Sequence, residues 1–192
     1  MARLTVPETG QTMTKPEEMK HFLAAFSMQY EFFPVSKSRR TLPAEHILAE
    51  FDSEISFLKQ QGGYQTADLI DLTPATSGLD QMLAKFSTEH THSEDEVRFC
   101  IDGRGIFHIN PVKAPVFSIE MESGDLINVP AGTRHWFNLC QEKTVRVIRL
   151  FQDITGWTPH YTPDGTEKNF QPLCFSQLHA SIEKSKESVV KS

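Results

Sequence analysis

A mainly β barrel or sandwich with helices set ahead of it is the fold class this sequence predicts, and three observations predict it. From Val97 onward, short β-rich runs alternate with Gly, Pro, Asn and Asp, the rhythm of strands joined by tight turns. Apolar residues at helical spacing are confined to the part of the chain before His90. The 192 residues, with fourteen Phe and 39% hydrophobic residues, suffice for one core without covalent staples.

The elements follow in order. Thr14-Lys-Pro16-Glu17 has the form of a capping box with proline in the first turn, and Met19, Phe22, Leu23 and Phe26 then recur every three or four residues, predicting an amphipathic helix. Residues 30–35 read as extended. A second helix is predicted from Pro43 through Ile47, Phe51, Ile55 and Leu58, ending at Gly62-Gly63. Residues 66–72 read as a strand closed by Pro74, and 79–86 as a short helix that delivers the chain to His90. Strands are then expected at 97–101, 106–109, 116–121, 126–129, 135–139 and 145–151. One domain is expected over residues 1–182, with a helical elaboration over about 1–63 and a polar, disordered tail at 183–192.

Bulk properties exclude several function classes. A net charge of −6 argues against a nucleic-acid surface. No apolar run of signal-peptide length follows Met1 and none approaches a membrane span, so a cytoplasmic protein is expected. Cys100, Cys140 and Cys174 are odd in number and scattered, which disfavours a disulfide framework; they read as small buried hydrophobes, with redox sensing as the lesser alternative.

The chemistry lies in two segments, His90-Thr-His92-Ser-Glu-Asp-Glu96 and Gly124-Asp-Leu-Ile-Asn-Val-Pro130-Ala-Gly132-Thr-Arg-His135. Three imidazoles and one carboxylate form a complete shell for Fe(II), Ni(II), Mn(II) or Zn(II), and around an octahedral ion they leave two positions for substrate. On a strand, His90, His92, Glu96 and Arg98 share one parity and face the same way. Glu94 shares it too, but lies in a turn or bulge and is left out. A lone His-x-His pair would read as a solvated loop; the second segment, a strand bracketed by turns with a histidine just beyond, changes that. Arg98 could equally form a salt bridge to Glu94 or Asp95, and those two acids are either exposed or hold ligand imidazoles. Asp125 reads as turn chemistry, and Trp136 as packing on the outer face of its strand. His21, His46, His108, His160 and His179 have no metal-like spacing.

These residues resemble the two cupin motifs, His90-x-His92-x3-Glu96-x6-Gly103 and Gly124-x5-Pro130-x-Gly132-x2-His135 followed by Asn138. Ala84 stands where a leading glycine is usual, and Asn138 comes one residue early. The resemblance implies a mainly β, cupin-type double-stranded β-helix (jelly-roll barrel) with the N-terminal α-helices packed outside. The longer strings from His90 to Phe99 and from Gly124 to Phe137 resemble the acireductone dioxygenase family of methionine salvage, over about residues 64–157. That resemblance implies one Fe(II) or Ni(II) per chain held by His90, His92, Glu96 and His135, Arg98 as a substrate-facing cation, and a pocket lined by Phe86, Phe137 and Trp157, for which plain core packing is the bland alternative. It also implies an acireductone, 1,2-dihydroxy-3-keto-5-methylthiopentene, and O2 as substrates; a monomer is expected. The Fe(II) form would give 4-methylthio-2-oxobutanoate and formate; the Ni(II) form would give methylthiopropionate, formate and CO. The alternatives are another metal-dependent cupin enzyme, such as a flavonol-type dioxygenase or a sugar-phosphate isomerase, and a non-catalytic ligand-binding cupin. An isomerase handling phosphate should show clustered cations, and near the motifs only Arg98, Arg104 and Arg134 qualify.

Overall fold

The structure, a computed structural model, describes residues 1–153, 158–171 and 174. Two antiparallel sheets face each other. One has the strand order β12 (His160–Tyr161), β5 (His90–Thr91), β10 (His135–Leu139), β7 (Gly105–Ile109), β8 (Phe117–Met121), β1 (Arg3–Val6) and β2 (Gln11–Met13). The other runs β3 (Gln29–Phe32), β9 (Asp125–Val129), β6 (Glu96–Gly103), β11 (Val145–Phe151) and β4 (Thr66–Leu72). The architecture is the mainly β cupin type that the motifs implied.

Alternation decides which face each side chain takes. On β6, Val97, Phe99 and Ile101 pack outward against Ile47, Phe51, Ile55 and Leu58, carried by helices α3 (Ala44–Glu50) and α4 (Asp52–Gly62). Glu96, Arg98 and Cys100 point into the space between the sheets, so β6 is buried on both faces. The inner core joins Phe107, Ile109, Ile119, Met121, Ile127 and Val147 with Met19 and Leu23 of helix α1 (Pro16–Ala24). At the turn between β6 and β7, Gly103 adopts φ +77°, and an added β-carbon would lie 2.1 Å from the Thr144 carbonyl oxygen, so only glycine fits.

Some expectations need correction. Helix α1 is capped at Lys15 without a side-chain hydrogen bond, so Thr14 is not the cap; Pro16 supplies the start. The extended segment at 30–35 pairs only as far as Phe32. The single helix expected from Pro43 to Gly63 is two, because the backbone of Phe51 leaves the helical region at φ −102°, ψ 19°; its buried ring meets Phe99 edge-on, and the Arg39 guanidinium lies over the ring, 3.9 Å from its centroid. A short helix α2 (Lys37–Arg40) and strands β1, β2, β5 and β12 were not foreseen, whereas helix α5 (Leu79–Phe86) stands where it was expected.

Cys140 and Cys174 are joined in a disulfide, against the expectation of three independent thiols. The pairing is tertiary: the end of β10 and the segment after the short 3-10 helix Thr166–Asn169 meet around Ile106, and spacing alone carries no sign of it. Cys100 is free and buried, as expected. Among the described residues no helix is long and apolar enough to cross a membrane. The expected tail at 183–192 lies outside the described residues.

Candidate metal centre

β5 is sandwiched between β10, where His90 lies directly opposite His135, and β12, where it lies opposite Tyr161. Directly opposed residues project to the same face, so the two imidazoles point together, with ring centroids 4.6 Å apart. His92, just beyond β5, brings its ring to 4.9 Å from His90 and 5.3 Å from His135. Glu96 opens β6 in the opposite sheet, and its Oε2 lies 2.6 Å from His135 Nε2 and 3.5 Å from His92 Nε2. All four side chains are buried.

Hydrogen bonds fix which nitrogen faces inward. His90 Nδ1 lies 2.7 Å from the Thr88 carbonyl and His135 Nδ1 2.8 Å from the Thr133 carbonyl. A carbonyl only accepts, so each Nδ1 carries the proton and each Nε2 presents a lone pair to the centre. His92 Nε2, His135 Nε2 and Glu96 Oε2 are buried without a hydrogen-bond partner, a costly state for polar atoms that a shared cation would relieve. Donors about 2.1 Å from one ion lie roughly 3 Å apart when adjacent, and the separations found here bracket that value. The residues therefore fit a divalent ion.

The electrostatics agree. Burial, then the neighbouring His135, lowers His90 to about 4, and burial lowers His92 against the pull of Glu96, so both stay neutral and available as ligands. Burial would raise the Glu96 carboxyl, but the Arg98 guanidinium beside it holds it well below the usual carboxylate range.

Arg98 does look inward, and its partner is neither Glu94 nor Asp95. Its guanidinium pairs with Glu96 Oε1 and donates to the Val97 carbonyl at 3.0 Å, while burial draws its pKa down to about 10. Glu94 instead accepts from the Asp153 amide at 2.8 Å, and Asp95 from the Ala131 amide at 3.0 Å: both acids tie loops rather than imidazoles. Asp125 is structural, as read, accepting from Tyr30 Oη at 2.7 Å and the Glu122 amide at 2.8 Å.

Beside the donors lies an apolar cavity of about 60 Å³, walled by Phe86, Phe107, Phe137, Met82 and Val147. A groove of about 660 Å³ shares Ile70, Leu72, Met82 and Phe86 with it, so these four side chains stand between the chamber and the groove. Phe86 and Phe137 both line that cavity; Trp157 lies outside the described residues. Trp136 packs on the outer face, stacked on His108 at 4.9 Å and 7°. His21, His46 and His160 join no group of metal donors among the described residues, and His179 lies outside them. Glu120, Cys140 and Cys174 also cluster, but their two sulfurs are bonded to each other.

The sequence model of the ARD/ARD′ family matches residues 12–159. The chain belongs to the acireductone dioxygenase family. It is 39% identical to the acireductone dioxygenase of Exiguobacterium sibiricum over 180 residues, covering 87% of this chain and 98% of the relative. It is 40% identical to that of Marinobacter nauticus over 161 residues, covering 81% and 84%. A solved acireductone dioxygenase from Bacillus anthracis, with a cadmium ion in its active centre, superposes with a TM-score of 0.78 at 35% identity, covering 84% of this chain and 98% of that one. Membership of this enzyme family sets aside the flavonol-type, isomerase and non-catalytic alternatives.

Sequence reasoning missed one part of the centre. Thr88 and Thr133 each stand two residues before one of the clustered histidines, and that repeated Thr-x-His was the available signal for the carbonyls that orient the rings.

Proposed function

We propose that this enzyme cleaves 1,2-dihydroxy-3-keto-5-methylthiopentene with O2, as a monomer, using one Fe(II) or Ni(II) held by His90, His92, Glu96 and His135. The observation that carries the reading is the convergence of buried, unpartnered donor atoms at the edge of an apolar chamber. When bound, the ion supplies Lewis acidity that favours the ionised enediol and lets it meet O2 in one site. The chain's own groups do the rest. Thr88 and Thr133 hold two imidazoles in the ligating tautomer. Arg98, paired with Glu96, leaves a loaded site with charge about +2, which a dianionic substrate would neutralise. Phe86 and Phe137 exclude water and meet the methylthio tail.

In this reading the Fe(II) form gives 4-methylthio-2-oxobutanoate and formate, and the Ni(II) form gives methylthiopropionate, formate and CO. The test is metal-free protein loaded anaerobically with either ion, then given enediol and O2. Keto acid from one form and CO from the other are expected; oxygen uptake that never exceeds the uncatalysed rate with any divalent ion would overturn it. His135→Ala should lose metal binding and oxygen uptake together. Arg104 pairs with Glu142 and Arg134 with Asp164, so neither of these two cations is held out for a phosphate.

A further inference from the structure

The strand that carries His90 is two residues long, and a ladder so short fixes little by itself. Something else must hold it. Glu89 immediately precedes His90 and has the opposite parity, so its side chain faces away from the imidazoles. It is completely buried. Its carboxylate accepts from Asn110 Nδ2 at 2.7 Å and from Thr162 Oγ1, and its backbone carbonyl accepts from the Thr162 amide at 3.0 Å.

These partners come from three separate parts of the chain. Asn110 follows β7, and its amide donates to the Arg134 carbonyl at 2.9 Å, just before the ligand His135. Thr162 follows β12. Arg134 Nη1 stands 4.0 Å from the Glu89 carboxylate and 2.6 Å from Asp164 Oδ2. One buried carboxylate thus locks the two-residue strand to both of its neighbours, and the lock closes on the residues flanking two ligands.

We infer that Glu89 is a positioning residue of the metal centre, which holds His90 opposite His135 by gripping Asn110 and Thr162. The inference rests on the metal reading above. Glu89 does not ligate; it acts through His90, and its effect belongs in ion affinity and in the symmetry of the coordination shell. Both of its oxygens accept from donors; the equal-sized Glu89→Gln keeps both contacts only by making the Thr162 hydroxyl accept instead of donate, and it removes the charge that strengthens these bonds and faces Arg134.

The test is Ni(II) affinity of metal-free protein by chelator competition, with the visible spectrum of the Co(II)-loaded form as the second readout. It compares wild type with Glu89→Gln and the milder Thr162→Val, which deletes one donor. Wild type should take up one ion per chain. Glu89→Gln should bind about 10- to 100-fold more weakly with a shifted Co(II) spectrum, and Thr162→Val should shift both in the same direction by less. Variants within two-fold of wild type, with an unchanged spectrum, overturn the inference and leave the metal reading intact, even if their melting temperature falls. If Glu89→Gln does not fold, Thr162→Val decides by the same criterion. Wild-type protein that binds no ion overturns both.

Discussion

Arg98 shows how much one residue can carry. It pairs with Glu96 and lines the chamber, so in the proposed reaction it would act on the ion through Glu96 and on the substrate through space. Arg98→Ala should keep one ion per chain at saturating metal yet lower kcat by about 10²- to 10³-fold, because a preorganised cation is lost; unchanged turnover would return Arg98 to a packing role. His108 gives a pH prediction free of the metal. Burial takes it from 6.5 down to about 4. Its folded value lies below the unfolded one, so between those two values the unfolded chain binds the extra proton and stability falls as pH drops, by up to about 3 kcal/mol. Replacing it with phenylalanine, which preserves a ring against Trp136, should remove that part of the acid sensitivity. Urea unfolding at pH 7 and pH 4.5 checks this, and equal losses in both proteins would exonerate His108.

At the scale of elements, two glycines in one hairpin have different jobs. A β-carbon on Gly103 would strike backbone, the Thr144 carbonyl; one on Gly105 would strike the ring of Phe137 at 2.2 Å. Gly103→Ala should therefore cost about 2–3 kcal/mol in urea unfolding with KM unaltered, whereas Gly105→Ala should cost less stability and raise KM by moving Phe137 into the chamber. A KM unmoved by the second change would remove Phe137 from the substrate wall. The same hairpin explains what could be read in advance. β6 to β11 were legible because Gly103, Gly124, Pro130 and Gly132 mark turns between runs long enough to show alternation. β1, β2, β5 and β12 hold two to four residues each, too few for a period, and are ordered by partners far along the chain. The break at Phe51 was hidden because its apolar spacing runs on unbroken through both helices. The four donors were legible from parity within one segment plus a turn-bracketed second one. Glu89 was not, since Asn110 and Thr162 stand at no recognisable spacing from it.

For the whole molecule, the Cys140–Cys174 bond closes a loop of sequence separation 34 that contains β11 and β12. Restricting the unfolded chain in this way is worth about 3–4 kcal/mol by loop-closure entropy. Cys140→Ser, or wild type melted with a dithiol reductant, should lose several degrees in Tm; a melting curve indifferent to reductant would mean that the bond does not hold in solution. The two layers also share the donors, with His90 and His135 on one sheet and Glu96 on the other. His90 and His135 are direct neighbours across β5 and β10, and a slip of one residue between those strands would swing one ring to the outside. Only a single alignment of this edge lets both rings reach the same cation. Ion uptake during folding would then proofread the mouth of the barrel, and refolding with and without a divalent ion would show it as a difference in the yield of correctly aligned protein.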